Sequence, residues 1–218
     1  MGRRVVVLVA TVGFDEKFVL RAIMRRADTL SRVYLVTATP VEERAARAVK
    51  LVEDFVNRVL KGPGREVRLD VIEVDLRDFF GVVAELRRKC FEEGKTADTY
   101  VVSLSGGMRA LVLAVLAAFV ISGRAGEVEV ELENFSGVVR FSPELFRGVS
   151  LGDYDRRVVK SLAQRGKATY RELLADTGLP RATLFRTLKN LRLRGLIRAE
   201  VVGRTSYYSL TDIGRAYA

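Results

Sequence analysis

Two short segments concentrate the residue types that hold a phosphate: Thr11-Val12-Gly13-Phe14-Asp15 and Ser103-Leu104-Ser105-Gly106-Gly107-Met108-Arg109. Glycine lets a backbone approach a ligand closely, serines flank the second turn, and Arg109 falls where a helix is expected to begin. Free amide groups at a helix N-terminus bind anions, whereas a cation there opposes the helix dipole unless an anion is bound. Arg109 is therefore better explained by an anionic ligand than by helix stability. The glycine spacing is not G-x-G-x-x-G, and G-x-x-x-x-G-K-[ST] is absent, which argues against a dinucleotide redox cofactor and against a phosphate-loop ATPase. The chain has no histidine and a single cysteine, Cys90. Histidine acid–base catalysis, histidine zinc sites, CxxC redox chemistry and an internal disulfide are thereby excluded, and no metal or cofactor is expected.

The second cluster lies near the C-terminus. Residues 181–194 hold five basic side chains and no acidic one, with Leu184, Leu188 and Leu191 at the spacing of a buried helical stripe. Arg181, Thr183, Arg186, Thr187 and Asn190 are assigned to the opposite face. Arginine and asparagine each read a base edge with two hydrogen bonds, guanine and adenine respectively. Lys189, Arg165, Lys167 and Arg204 are expected to meet phosphates. Charge distribution agrees: the net charge is +10, and residues 151–218, with 14 basic and 6 acidic side chains, carry +8 of it. An excess of this kind implies an anionic partner for the last third of the chain, here double-stranded DNA.

The elements that must position these clusters follow from hydrophobic spacing. Strands are expected at 4–10, 32–38, 66–74 and 99–104, with helices between them at 15–30, 41–60 and 78–93, and a further helix after Gly107 running to about 122. Lys61-Gly62-Pro63-Gly64 is read as the stop of the second helix. This alternation predicts an α/β fold, a Rossmann-like mostly parallel sheet with helices on both faces. Two closely spaced strands, 127–133 and 138–141, read as an edge hairpin. Glutamates at 127, 129, 131 and 133 alternate, which predicts an acidic, half-exposed face. With strand order 3-2-1-4, the ligand crevice lies between strands one and four, where both glycine loops end.

Residues 153–218 read as helix, helix, helix and a two-stranded ribbon, the winged helix-turn-helix arrangement. Thr169-Tyr170-Arg171-Glu172 matches a capping box at the second helix. The expected domains are thus 1–142 for ligand sensing and dimerisation, a linker at 143–152, and 153–218 for DNA binding. Residues 110–121 contain no polar side chain, so that helix must be covered on every side, which favours a homodimer. Twelve residues are too few to cross a bilayer, and the six-residue apolar run at 5–10 is too short for a signal-peptide core, so a cytoplasmic protein without membrane contact is expected.

The two glycine loops, their positions after strands one and four, and the domain order resemble the CRISPR-associated regulators that join a CARF (CRISPR-associated Rossmann fold) domain to a winged helix-turn-helix. The resemblance covers nearly the whole chain. It implies a homodimer, found in archaea and serving antiviral defence, whose paired pockets bind a cyclic oligoadenylate, commonly the four-adenylate ring, and whose role is transcriptional regulation of CRISPR loci. It implies that Thr11, Gly13 and Phe14 touch the ring on one side, with Val12 and Asp15 beside them. Ser105, Gly106, Gly107 and Arg109 would hold phosphates on the other, next to Ser103 and Met108. Some CARF domains also cleave their ring; in such a ring nuclease Thr11 and Arg109 would be the catalytic candidates.

Overall fold

The computed structural model describes residues 5–60, 66–93 and 99–218. The expected start of the first strand at Arg4 and the glycine–proline stop at 61–64 lie outside the described residues. The chain divides into two compact units, Met1–Pro143 and Glu144–Ala218.

In the first unit β1 (Val6–Thr11), β2 (Leu30–Ala38), β3 (Arg68–Val74), β4 (Thr99–Ser103), β5 (Gly126–Glu131) and β6 (Val138–Phe141) form one sheet in the order β3-β2-β1-β4-β5-β6. The first five strands run parallel and β6 returns antiparallel beside β5, as the edge-hairpin reading required. β1 is buried along its whole length, which is why it reads as a nearly continuous β-branched run. Helices α1 (Lys17–Met24) and α2 (Glu43–Phe55) cover one face, with Val19, Ala22, Ile23, Ala48 and Val52 inward. Helices α3 (Phe79–Leu86) and α4 (Arg109–Ser122) cover the other. α2 and α3 each end in a wide π-type turn, through Leu60 and Glu92. The result is a Rossmann-like, doubly covered sheet.

Strand β5 differs from the sequence expectation. Glu129 and Glu131 are buried, with Glu129 at 0% exposure. Arg25 donates to Glu129 and Glu131, both at 2.9 Å, and Arg26 donates to Glu127 at 2.9 Å and to Glu129 at 2.7 Å. The turn after α1 reaches over β5 with arginine stems, so the acidic face is covered instead of solvated.

The second unit is built from α5 (Asp153–Arg165), α6 (Tyr170–Thr177), α7 (Arg181–Leu193) and a ribbon of β8 (Ile197–Val202) and β9 (Thr205–Leu210). A short strand, β7 (Lys167–Thr169), pairs with β9 and makes the ribbon three-stranded; three residues are too few to show a period in sequence. A last turn of helix, α8, spans Asp212–Ala216. The capping box forms: Thr169 N–H donates to Glu172 at 2.7 Å, and Glu172 N–H donates to the Thr169 hydroxyl. Val158, Leu162, Leu173, Leu184, Leu188, Leu191 and Leu196 make the core. Val149 and Leu151 pack against that core and Tyr217 accepts a hydrogen bond from Val149 N–H at 2.9 Å. The segment 143–152 is therefore not a free linker; most of it belongs to the C-terminal unit, because its two apolar side chains have a surface to bury against. Among the described residues, no helix is long and apolar enough to cross a membrane.

Candidate functional site

β1 and β4 are hydrogen-bonded neighbours, so their carboxyl-terminal loops emerge side by side. The two loops touch through glycine. A methyl group on Gly13 would stand 2.5 Å from the Gly107 backbone nitrogen, and Gly107 itself adopts φ +88°. No side chain fits at the first position, and few tolerate the backbone of the second. Thr11 is 1% exposed, and its hydroxyl donates to the Gly106 carbonyl at 2.5 Å. Ser103 is buried, and Ser105 accepts the Glu131 N–H at 2.8 Å. Thr11, Ser103 and Ser105 thus brace the loops, and the Thr11 hydroxyl is committed to the Gly106 carbonyl.

Beyond the glycine contact lies a cavity of about 220 Å³. Val12, Gly13 and Phe14 line it from the first loop, Gly107 and Met108 from the second, and Leu111 from the first turn of α4. The remaining walls come from the end of β2 and the start of α2: Thr37, Ala38, Pro40, Glu42 and Ala45. The sequence reading missed this third wall. Thr39-Pro40 after the second strand was the available signal, since every parallel strand delivers its following loop to the same end of the sheet. Arg44 lies over the Phe14 ring, its guanidinium carbon 5.2 Å from the centroid. Asp15 accepts the Lys17 N–H at 2.9 Å, which starts α1. Ser105, Gly106 and Arg109 stand outside the cavity wall; Arg109 is exposed at the first position of α4, whose N-terminus has no side-chain cap. That start is open to an anion.

In the second unit α7 presents Arg181, Arg186, Lys189 and Asn190 to solvent, with Thr183 half-buried. No ion pair engages Arg181, Arg186 or Lys189 among the described residues. Thr187 departs from its expected place: it is 6% exposed. It stands three residues after Leu184 and one before Leu188, so the helical period puts it on the buried stripe. Two cations expected at phosphates are already engaged. Arg165 binds Asp176 through Nε–H at 2.5 Å and Nη2–H at 2.8 Å, and Lys167 pairs with Glu200 at 2.8 Å while lying over the Tyr207 ring. The Arg165 guanidinium, helped by the Ser161 hydroxyl, holds the Asp176 carboxyl down to about 2. Arg204 is exposed at the turn between β8 and β9. Phe185, which the sequence reading passed over, is 63% exposed on α7.

Comparison with known proteins separates the same two units. Residues 146–213 match the family described as sugar-specific transcriptional regulator TrmB. Fifty residues are 46% identical to the HTH-type transcriptional regulator FL11 of Pyrococcus abyssi, a stretch of 23% of this chain and 33% of that relative; the chain thus spans a third of the regulator it matches. A MarR family regulator of Neisseria meningitidis, 31% identical, is similar over 31% of this chain and 50% of its own, with a TM-score of 0.29. A probable transcriptional regulator of Pseudomonas aeruginosa, 28% identical, covers 33% of this chain and 59% of its own, with a TM-score of 0.31. Residues 6–142 match the Csa3 CRISPR-associated Rossmann-like domain. That match runs from the first strand through the edge hairpin, takes in both glycine loops and covers more than half of the sequence, and the chain belongs to the Csa3 family.

Proposed function

We propose that this protein is a DNA-binding transcriptional regulator of a CRISPR system, controlled by a cyclic oligoadenylate. The single observation that carries the reading is α7: an acid-free helix on a winged helix unit, with Arg181, Arg186 and Lys189 exposed and unpaired among the described residues. Unbroken positive charge of this kind suits a duplex, because phosphate contact dominates affinity and base contact confers sequence preference.

The ligand side rests on the two glycine loops of the Csa3 domain. Phe14 and Met108 offer apolar surface to a base, the backbone at Gly107 is bare, and the uncapped start of α4 beside Arg109 suits a phosphate. A homodimer is supported by α4 itself. Leu111, Ala114, Val115, Ala118 and Phe119 are buried, while Leu113 and Ile121 remain exposed on a helix without a polar face. A ring of repeated adenylates matches a two-fold protein pocket. Ring binding would then shift the population of arrangements available to the two DNA-reading helices, and linkage requires DNA to alter ring affinity by the same factor.

The test is a mobility shift with the chain's own upstream DNA, with and without cyclic tetra-adenylate, paired with calorimetric titration of the ring with and without that DNA. Binding of the duplex and a ring-dependent change in affinity are expected. Absence of any shift at low salt would remove the DNA reading. Equal ring affinity in both titrations would remove the coupling.

A further inference from the structure

We propose that Phe185 reads a thymine 5-methyl group, giving this regulator sequence preference for an A·T pair through an apolar contact. The inference rests on the DNA-binding reading above and names one of its specificity determinants. It starts from an anomaly of placement. α7 buries Leu184, Thr187, Leu188 and Leu191, and a helix turns about 100° per residue, so its outward centre falls near Ala182, Arg186 and Lys189. Phe185 lies about 70° to one side of that centre and Asn190 about 70° to the other. Both are exposed.

The two flanks differ in chemistry. On the Asn190 flank, Thr183 and Arg186 share a groove with the first turn of α5, where Asp153 and Asp155 stand. Asp155 is held by Arg194 at 2.9 Å, and the Asp153 carboxylate beside it disfavours a phosphate strand. On the Phe185 flank, the groove of about 670 Å³ runs between α7, the start of α6 and the ribbon turn, and its charged walls are Arg171 and Arg204. Tyr170 donates its hydroxyl hydrogen to the Arg181 carbonyl at 2.7 Å and fixes the start of α6 against the start of α7.

Phe185 and Ala182 therefore form an exposed apolar spot, three residues apart on one helix face, between cations that attract a polyanion. A benzyl group offers a base edge no hydrogen bond. Of the four base pairs only those containing thymine present an apolar group in the major groove, the 5-methyl. A lone exposed phenylalanine elsewhere on a surface would need no explanation. In this position it has a partner chemistry that its neighbours select.

The experiment uses the full chain. Selection from a random-sequence duplex library yields a preferred site, and each thymine in that site is then replaced in turn by deoxyuridine, which lacks only the methyl group. Fluorescence anisotropy measures the affinity of each duplex for the parent chain, for Phe185→Ala and for Phe185→Leu. At one thymine per half-site the parent is expected to lose about fourfold in affinity, the worth of burying one methyl group. Phe185→Ala is expected to bind the thymine and deoxyuridine duplexes equally, and Phe185→Leu to keep part of the difference. A parent chain indifferent to every methyl group overturns the proposal while leaving DNA binding intact. So does Phe185→Ala with undiminished discrimination, or Phe185→Ala that changes only the oligomeric state in size-exclusion chromatography. Failure to enrich or bind any duplex overturns the DNA-binding reading and this inference together.

Discussion

Helix α1 and the turn that follows it carry Arg21, Arg25 and Arg26, and helix α7 carries Arg181, Arg186 and Lys189, yet the two sets are put to opposite uses. Arg25 and Arg26, just after α1, close on Glu127, Glu129 and Glu131 of β5, and Arg21 approaches Glu131 to 2.5 Å. They hold a fold together and have no charge to spare for a ligand. The cations of α7 face solvent, and among the described residues no ion pair engages Arg181, Arg186 or Lys189. A basic residue is informative about a partner only once its internal partners are known, and a count of charge conceals that. Arg165 shows the same lesson inside the C-terminal unit, where Asp176 claims it.

The largest effect should come from breaking the α1 network. Glu129→Ala leaves Arg25 and Arg26 short of their shared carboxylate, and breaking such a buried pair costs about 3–5 kcal/mol. Urea denaturation of the full chain measures it; a loss below about 1 kcal/mol, the scale of an exposed pair, would erase the contrast with α7. Next in size is Arg186→Ala, expected to cost about 1–3 kcal/mol of DNA affinity with the melting temperature unchanged. Lys189→Ala should weaken all duplexes alike and reduce the dependence of log K on log salt by about one. A drop in thermal stability in either variant would place those side chains with Arg25 instead.

A smaller, pH-dependent effect sharpens the reading of Arg165. The Asp176 carboxyl is held at about 2 in the folded protein, below its ordinary value. Its contribution to stability is thus present above about 3.9, the unfolded value, and disappears as pH falls toward the folded one. Arg165→Ala should be slightly less stable than the parent at neutral pH, the gap closing between about pH 4 and pH 2 in thermal melts. A gap that persists unchanged at low pH would mean that the pair contributes nothing. The smallest effect is expected from Thr187→Val. A side chain on the buried stripe has no duplex to touch, so anisotropy should give the parent's affinity. A clear loss of binding would return Thr187 to the reading face.

Much of the architecture was legible beforehand because it is written in local patterns. Buried parallel strands need β-branched runs, amphipathic helices need a 3.6-residue period, and the capping box at Thr169 and Glu172 is a four-residue signal. Most of these elements formed close to where they were expected; the first helix stops at Met24, short of the expected residue 30, which already belongs to β2. Errors arose where a residue's role depends on something distant in sequence. The glutamates of β5 alternate as an exposed edge would, but Arg25 and Arg26, some hundred residues away, lie over them. Thr187 was misplaced for a different reason: the helical period, counted from Leu184, already assigns it to the core.

The candidate site divides in the same way. Sequence alone fixed that two glycine loops follow β1 and β4, that the last third of the chain is basic, and that a three-helix unit ends in a ribbon. Backbone conformation and charge composition are local properties, and a sequence states them directly. Tertiary structure alone decided that Gly13 abuts Gly107, that the β2–α2 segment completes the cavity, that the Thr11 hydroxyl turns inward, and which cations remain without a carboxylate. Those facts depend on distances between segments far apart along the chain, and packing sets such distances.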